Sequence, residues 1–491
     1  MNGPRVRSLV VLAAVIIGAA TWFGLPALTS APNPPVAAAT PTRGAGSTAA
    51  SSQVPTPATT LPPAATAQPG STASPNPTAA PGPTAARGPT AAPNPTASAI
   101  GVPTLAPSAA PAATLAGPST ALAYGLPSAD RLRATPALEA ALTLRLDELR
   151  GTYGLPGVSA AILFADGSRW VGTTGLADVE NIRSVTPDTA FAIASISKTF
   201  LAALVLALVD GGVLELDHPV TSYLPELAST IAIDDAITVR QLLDHTSGLH
   251  DFFYAPDIDE ALLGDRARVW TAQEILGYVG KPYFKPGRNW HYSNTNYVIL
   301  GLLAEAVGGQ PLAAQLRARF FDPLGLVGTH YQGIEDPPGP QALAYRFIGP
   351  GADLAPVPMT DGTTVVPFTS VVTAAGSAGS IASTSEDLVT WARHLYGGRV
   401  LTAAGRAAMV EDIATTARFK PSTPYGLGVQ APTIDGRPTL GHSGRLLGSR
   451  GVVRWLSDEG IAIAVLTNQS RTDPNVLVRD LLRVILGPPP D

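Results

Sequence analysis

Cysteine is absent from all 491 residues. That absence removes disulfides, thiolate zinc sites, iron–sulfur ligation, a cysteine nucleophile and a lipidated N-terminal cysteine together. It leaves export open. Charge is also scarce, at 14% of residues, and no acidic side chain precedes Asp130. The first 129 residues carry only Arg5, Arg7, Arg43 and Arg87. Taking those four from the 32 basic residues leaves 28 against 37 acidic ones, so the remainder has a net charge of −9. An acidic body without a basic run is a poor nucleic-acid binder, and no nucleic-acid partner is expected. Lysine occurs four times, as Lys198, Lys281, Lys285 and Lys420.

Proline is plentiful but uneven, with 20 of 48 between Ala31 and Thr120. Within that stretch a near-hexapeptide recurs, as in Asn76-Pro77-Thr78-Ala79-Ala80-Pro81 and Gly88-Pro89-Thr90-Ala91-Ala92-Pro93. Prolines at this density withhold backbone donors and break helices and sheets, which leaves a semi-rigid polyproline-like spacer. At about 3.1 Å per residue, its roughly 90 residues reach up to about 280 Å. Ahead of the spacer, Arg5 and Arg7 precede the uncharged, mostly aliphatic stretch Leu9 to Leu28, the layout of an export signal. As a helix that stretch rises about 30 Å, enough to cross a bilayer. An uncleaved anchor is therefore expected, with cleavage near Ala37-Ala38-Ala39 as the alternative. The expected plan is a signal peptide or membrane anchor over residues 1–30, a disordered Pro/Ala/Thr/Ser-rich linker over 31–122, and a folded domain over 130–491 held outside the cytoplasm.

Order is expected to resume at Thr135-Pro136, an N-cap followed by a first helical position. Leu138, Leu142, Leu144 or Leu146, and Leu149 then mark one face of a helix over Ala137 to Arg150. Val158 to Phe164 and Ser168 to Thr173 flank Asp166-Gly167, a hairpin signal. Phe200 to Val209 is apolar on every side and ends at Gly211-Gly212, which suits a helix inside a large domain. Gly451 to Trp455 and Ile461 to Leu466 bracket Ser457-Asp458-Glu459-Gly460 as a second hairpin, and Val476 to Leu486 closes the chain as a helix. The fold class is α+β: an antiparallel sheet flanked by helices plus an all-helical subdomain.

Only Lys198 follows a serine by three positions, in Ser195-Ile196-Ser197-Lys198 at the start of the apolar helix. Residues three apart share a helix face. Burial beside apolar neighbours lowers a lysine's pKa and frees it to accept a proton from a hydroxyl. Alone, so short a pattern more often marks a surface lysine. In His291-Tyr292-Ser293-Asn294, the alternation of an extended segment points Tyr292 and Asn294 the same way. They supply a phenol for proton transfer and an amide for a substrate carbonyl. In Gly441-His442-Ser443-Gly444-Arg445, strand alternation puts His442 and Gly444 on one face, glycine permitting close backbone approach. No His-Glu-x-x-His or Gly-x-Ser-x-Gly motif occurs. A metal site and an α/β-hydrolase elbow are therefore not expected.

In the order Ser-x-x-Lys, Tyr-x-Asn, His-Ser-Gly, these segments resemble the three motifs of the serine β-lactamase and penicillin-binding-protein superfamily. The class C-like branch, with its D-alanyl-D-alanine carboxypeptidases, D-aminopeptidases and esterases, is the nearer part of it. Phe191 to Ser195, Leu242 to Leu249, Ala375 to Gly379 with Ser383 to Leu388, and Tyr425-Gly426-Leu427-Gly428 also look like family segments. The resemblance covers about Pro136 to Leu486. It implies attack by Ser195 on a carbonyl, with Lys198 and Tyr292 sharing the base role and Tyr292 protonating the leaving group. It further implies an oxyanion hole from the backbone amides of Ser195 and Arg445, substrate binding by Asn294, His442, Ser443, Gly444 and Arg445, and no cofactor or metal. His442 departs from the β-lactamase pattern, which usually has lysine there. The expected activity is that of a D-alanyl-D-alanine carboxypeptidase-like hydrolase on a small-molecule or peptide substrate such as cell-wall peptide. A small-ester esterase is the second reading and a β-lactamase the third, with an inactive wall-binding homologue as the non-enzymatic alternative. Leu243-Asp244-His245-Thr246-Ser247-Gly248 is expected to end the helix Thr238 to Leu243, with Gly248 as its cap, rather than to build a Ser-His-Asp triad.

Overall fold

The computed structural model describes residues 133–348 and 355–487. The expected anchor, its cleavage site and the linker lie outside the described residues. The first helix, α1 (Pro136–Tyr153), starts where the sequence placed it: Thr135 accepts from Leu138 N–H and Pro136 takes the first position. Leu142, Leu146 and Leu149 are buried and Leu144 is 64% exposed, which resolves the register of its apolar face. Next come β1 (Gly157–Leu163) and β2 (Arg169–Asp178), joined through Asp166-Gly167, and the short β3 (Arg183–Ser184). From the far end of the chain come β4 (Leu440–Leu446), β5 (Ser449–Leu456) and β6 (Ile461–Thr467). Together they make one antiparallel sheet in the order β4-β5-β6-β1-β2-β3, in which Val158 faces Thr467 on one side and Thr174 on the other.

The central strands are buried on both faces. In β1, Ala161 and Leu163 join one core while Val158, Ala160 and Ile162 join a second. In β6, Ala462, Ala464 and Leu466 alternate with Ile461, Ile463 and Val465 in the same way. The second core is closed by α1 and the C-terminal helix, α6 (Asn475–Leu486), through Leu477, Val478, Leu481 and Leu482. The first core holds α2 (Ser197–Asp210), α4 (Asn294–Gly308) and α5 (Ser385–Tyr396). Ser197 to Leu208 of α2 are buried without exception, as its all-round apolar sequence requires.

Two details depart from expectation. The middle of the chain is largely helical but also carries a hairpin, Ala344–Ile348 with Ala355–Met359, and a three-stranded sheet of Phe191–Ala192, Ile381–Ser383 and His330–Tyr331. These strands of two to five residues are too short to show a period in sequence. Helix α3 (Val239–Leu243) ends on Asp244, not on Gly248. His245 takes the left-handed turn at φ 66°. Gly248 serves another purpose, because a Cβ there would stand 2.1 Å from Phe284 O.

Phe200 of α2 stacks on Trp391 of α5 at 4.0 Å with rings 10° apart, and the indole N–H of Trp391 donates to Thr199 Oγ1 at 2.9 Å. This contact ties the helix that carries the site to the helix that covers the sheet. Trp391→Ala should destabilise the protein by about 3–5 kcal/mol, seen as a lower urea midpoint at unchanged slope. A loss below about 1 kcal/mol would show that the contact does not hold the two helices together.

Candidate active site

The hydroxyl of Ser195 is presented by a sharp reversal of the chain. Strand Phe191–Ala192 pairs with Ile381–Ser383, and Ile193 N–H extends that ladder to Ile381 O at 3.0 Å. Ala194 then adopts φ 48°, a left-handed conformation that costs a non-glycine residue about 1–2 kcal/mol. One 3-10 turn, Ala194–Ile196, leads into α2. Ser195 therefore sits just ahead of the α-helix. The Ser197 hydroxyl, accepting from Ile381 N–H at 3.1 Å, pins the turn to the small sheet.

Lys198 is fully buried. Its Nζ donates to Asn294 Oδ1 and Ala378 O at 2.8 Å each and lies 3.2 Å from Ser195 Oγ. Amide oxygens can only accept. A neutral amine thus commits both N–H bonds to Asn294 and Ala378 and turns its lone pair to the serine hydroxyl. Burial supplies that neutral form: desolvation brings Lys198 down to about 7 against an opposing pull from the Asp251 carboxylate. Tyr292 hydrogen-bonds the Ser195 side chain, and desolvation holds its phenol above its ordinary value. Its ring centre is 5.0 Å from Lys198 Nζ. A phenol that keeps its proton is placed to hand it to a departing group.

Asn294 opens α4 behind the extended Ser293. Its Nδ2 donates to Asp251 Oδ2 at 2.8 Å, so Asp251 sets which end of the amide faces the lysine. Asp251 is itself buried. Desolvation raises its carboxyl, while hydrogen bonds from Asn294 and Phe253 and the nearby Lys198 draw it back down.

Strand β4 closes the other side. A Cβ on Gly444 would stand 2.0 Å from Ile193 O and 3.2 Å from Ser195 N, so only glycine lets the strand run beside the nucleophile's amide. His442 shares that face and lies 6.4 Å, ring to ring, from Tyr292. Ser443 points the opposite way: its hydroxyl accepts from Arg454 Nη2 at 2.8 Å and from Asn475 Nδ2 at 3.4 Å. Arg445 is exposed, and strand alternation sends its side chain to the Ser443 side. Its backbone N–H lies next to Gly444. The structure thus brings together Ser195, Lys198, Tyr292, Asn294, His442 and Gly444, and leaves the side chains of Ser443 and Arg445 elsewhere.

Sequence reasoning gave no role to Asp251, Ala378, His245 or Tyr425. Ala378, His245 and Tyr425 lie in segments noted for their resemblance, but nothing local marks the first as a lysine acceptor. His245 packs against Tyr292 at 4.3 Å between ring centres and lies 3.3 Å from Tyr425 OH. Its neighbours do not form a triad with it. Asp244 Oδ1 accepts from Thr246 N–H and Oγ1–H, and the Ser247 hydroxyl donates to Asn296.

Residues 142–486 match the Beta-lactamase family model. The chain belongs to the β-lactamase family. Among curated relatives, it is 32% identical over 359 residues to penicillin-binding protein 4 of Amycolatopsis lactamdurans, covering 70% of this chain and 88% of that one. Esterase EstB of Burkholderia gladioli is 36% identical over 200 residues, 39% of this chain and 49% of the esterase. Among solved structures, a D-stereospecific amidohydrolase from Streptomyces sp. superposes with a TM-score of 0.58 at 29% identity, covering 71% of this chain and 98% of that one. The protein is a serine hydrolase of the β-lactamase family.

For a β-lactamase-family site whose base is a buried lysine, kcat/KM should rise with pH through about 7 as Lys198 loses its proton. The Asp251 carboxylate raises Lys198, so Asp251→Asn should move that midpoint to lower pH. An unmoved midpoint would show that Asp251 does not act on the lysine. Gly444→Ala forces a Cβ into the Ile193 carbonyl and should lower kcat by about 10²–10³-fold. Near-UV circular dichroism should stay that of the wild type. Full activity in this variant would show that strand β4 does not wall the reaction centre.

Proposed function

We propose that this protein hydrolyses amide bonds next to D-configured amino acids by acyl transfer through Ser195. The observation that carries the reading is the buried Lys198 amine, held by Asn294 Oδ1 and Ala378 O with its Nζ 3.2 Å from Ser195 Oγ. Ser195 Oγ bonds to the carbonyl carbon as its proton passes to Lys198. The oxyanion is received by the backbone N–H groups of Ser195 and Arg445. Tyr292 delivers a proton to the leaving nitrogen as the C–N bond breaks and is reprotonated by the proton Lys198 took from Ser195. Water then cleaves the serine ester, the acid leaves, and Ser195 regains its proton.

The D-configuration is supported by similarity to proteins named D-aminopeptidase and D-stereospecific amidohydrolase. D-alanyl-D-alanine peptides are the first members of the class to try. Resemblance to EstB favours a second reading, hydrolysis of small acyl esters. We further propose that the enzyme works outside the cytoplasmic membrane on cell-wall peptide, because Arg5, Arg7 and Leu9 to Leu28 have the layout of an export signal ahead of a long spacer.

The test is a panel of D- and L-amino-acid amides, D-Ala-D-Ala peptides, β-lactams and p-nitrophenyl esters, run with wild type and Ser195→Ala. We expect D-selective amide turnover, a transient acyl adduct on Ser195 by intact mass, and at least 10³-fold loss in the variant. Turnover that survives Ser195→Ala sinks the acyl-enzyme mechanism. Ester turnover without any amide turnover selects the second reading.

A further inference from the structure

Tyr292 has to bring its phenol to the reaction centre from a stretch with no regular structure of its own. Residues 277–293 contain neither helix nor strand, and an irregular connection of that length is uncommon unless it serves a function. What holds it is the turn that follows α3. Gly248 O accepts from Tyr283 N–H at 2.8 Å and Thr246 O accepts from Gly287 N–H at 2.9 Å. At the end nearest the nucleophile the partner is His245.

His245 contacts Tyr292 and both of its chain neighbours. Its backbone O accepts from His291 N–H at 3.1 Å. Its ring lies 4.3 Å from the Tyr292 ring, centre to centre, at 35°, and its Nδ1 accepts from Ser293 N–H at 3.1 Å. It does so from φ 66°, a left-handed conformation that a residue with a Cβ rarely takes. Such strain persists only where the surroundings over-determine it. Here Asn296 Nδ2 donates to the same Nδ1 at 3.2 Å, and the Ser247 hydroxyl fixes that amide by donating to Asn296 Oδ1 at 2.7 Å. Nε2, left with the one proton of a neutral ring, donates to Tyr425 OH at 3.3 Å. Tyr297 and Trp290 close on the ring at 5.3 and 6.0 Å. Desolvation, with Lys198, His442 and His291 nearby, holds His245 well below its ordinary value, so it stays a neutral body against the phenol.

We infer that His245 is a positioning residue for the acid step: it grips the residues before and after Tyr292 and backs its ring, so that the phenol stands at the departing group when the bond to the acyl carbon breaks. The inference rests on the acyl-transfer reading and adds to it a residue that touches neither the substrate nor Ser195. Its effect is confined to leaving groups that need a proton. A departing amine or alkoxide takes the Tyr292 proton, whereas p-nitrophenolate leaves as an anion with no proton transferred. Loss of His245 therefore separates the two kinds of substrate, which a general loosening of the fold would not do.

The test uses the full-length protein and three substrates that form the same acyl-enzyme: acetyl-D-alanyl-D-alanine, acetyl-D-alanine methyl ester and acetyl-D-alanine p-nitrophenyl ester. Asparagine tolerates the left-handed conformation and its amide oxygen can accept from Ser293 N–H, so His245→Asn removes the ring and spares the turn. It should lower kcat/KM about 30-fold on the peptide and the methyl ester, and no more than about threefold on the p-nitrophenyl ester. Tyr292→Phe should show the same split, and adding His245→Asn to it should cost little more, because both act on one proton transfer. Should His245→Asn lose the near-UV circular dichroism of wild type, Asn296→Ala, which frees the ring from behind, decides by the same ratio. Equal losses on all three substrates, or additive losses in the double variant, overturn the inference. Wild-type turnover that survives Ser195→Ala would instead sink the acyl-transfer reading and this inference with it.

Discussion

Burial of one amine governs the arrangement of the catalytic domain around its site. An ammonium taken out of water without full compensation loses its proton, and Lys198 sits in the most apolar helix of the described chain with only amide oxygens and a hydroxyl within reach. Each of those partners comes from a different stretch of sequence. Asn294 is delivered by the start of α4, Ala378 by the turn before the strand Ile381–Ser383, and Ser195 by the reversal at Ala194. The chemistry therefore depends on the large core staying closed, because an opening that admitted water would return the lysine to its charged form and remove the base.

Much of this was legible in sequence, for a physical reason: it depends on local patterns. The central strands read as unbroken aliphatic runs because both of their faces are buried. The apolar helix, its serine and its lysine lie within four residues of one another, so helical geometry alone pairs them. Tyr292 with Asn294, and His442 with Gly444, likewise follow from the two-residue period of extended chain. Alternation also sends Ser443 away from the reaction centre, where it meets Arg454 and Asn475.

What was not legible is long-range. Asp251 reaches Asn294 across 43 positions and Tyr425 reaches His245 across 180, and no local period connects such pairs. Gly248 shows the same limit. It follows a short helix closely enough to pass for its cap, yet its conformation serves a close approach to Phe284, a contact that exists only once the loops are folded together.

The two sides of the site solve the problem of buried polarity differently. Around Lys198 a titratable group is kept near its switching point, poised between burial and the Asp251 carboxylate. Around His442 and His245 the same low-dielectric surroundings are met with a neutral hydrogen-bonded chain through Tyr425, in which no group needs to ionise. A half-satisfied network would leave a histidine free to flip or charge. Each ring is constrained from its far side, by Ser443 O in one case and by Ser293 and Asn296 in the other, and Tyr425 OH joins the two. Both histidines thereby stay neutral beside a lysine and a carboxylate, Lys198 and Asp251, that act on each other's proton affinity.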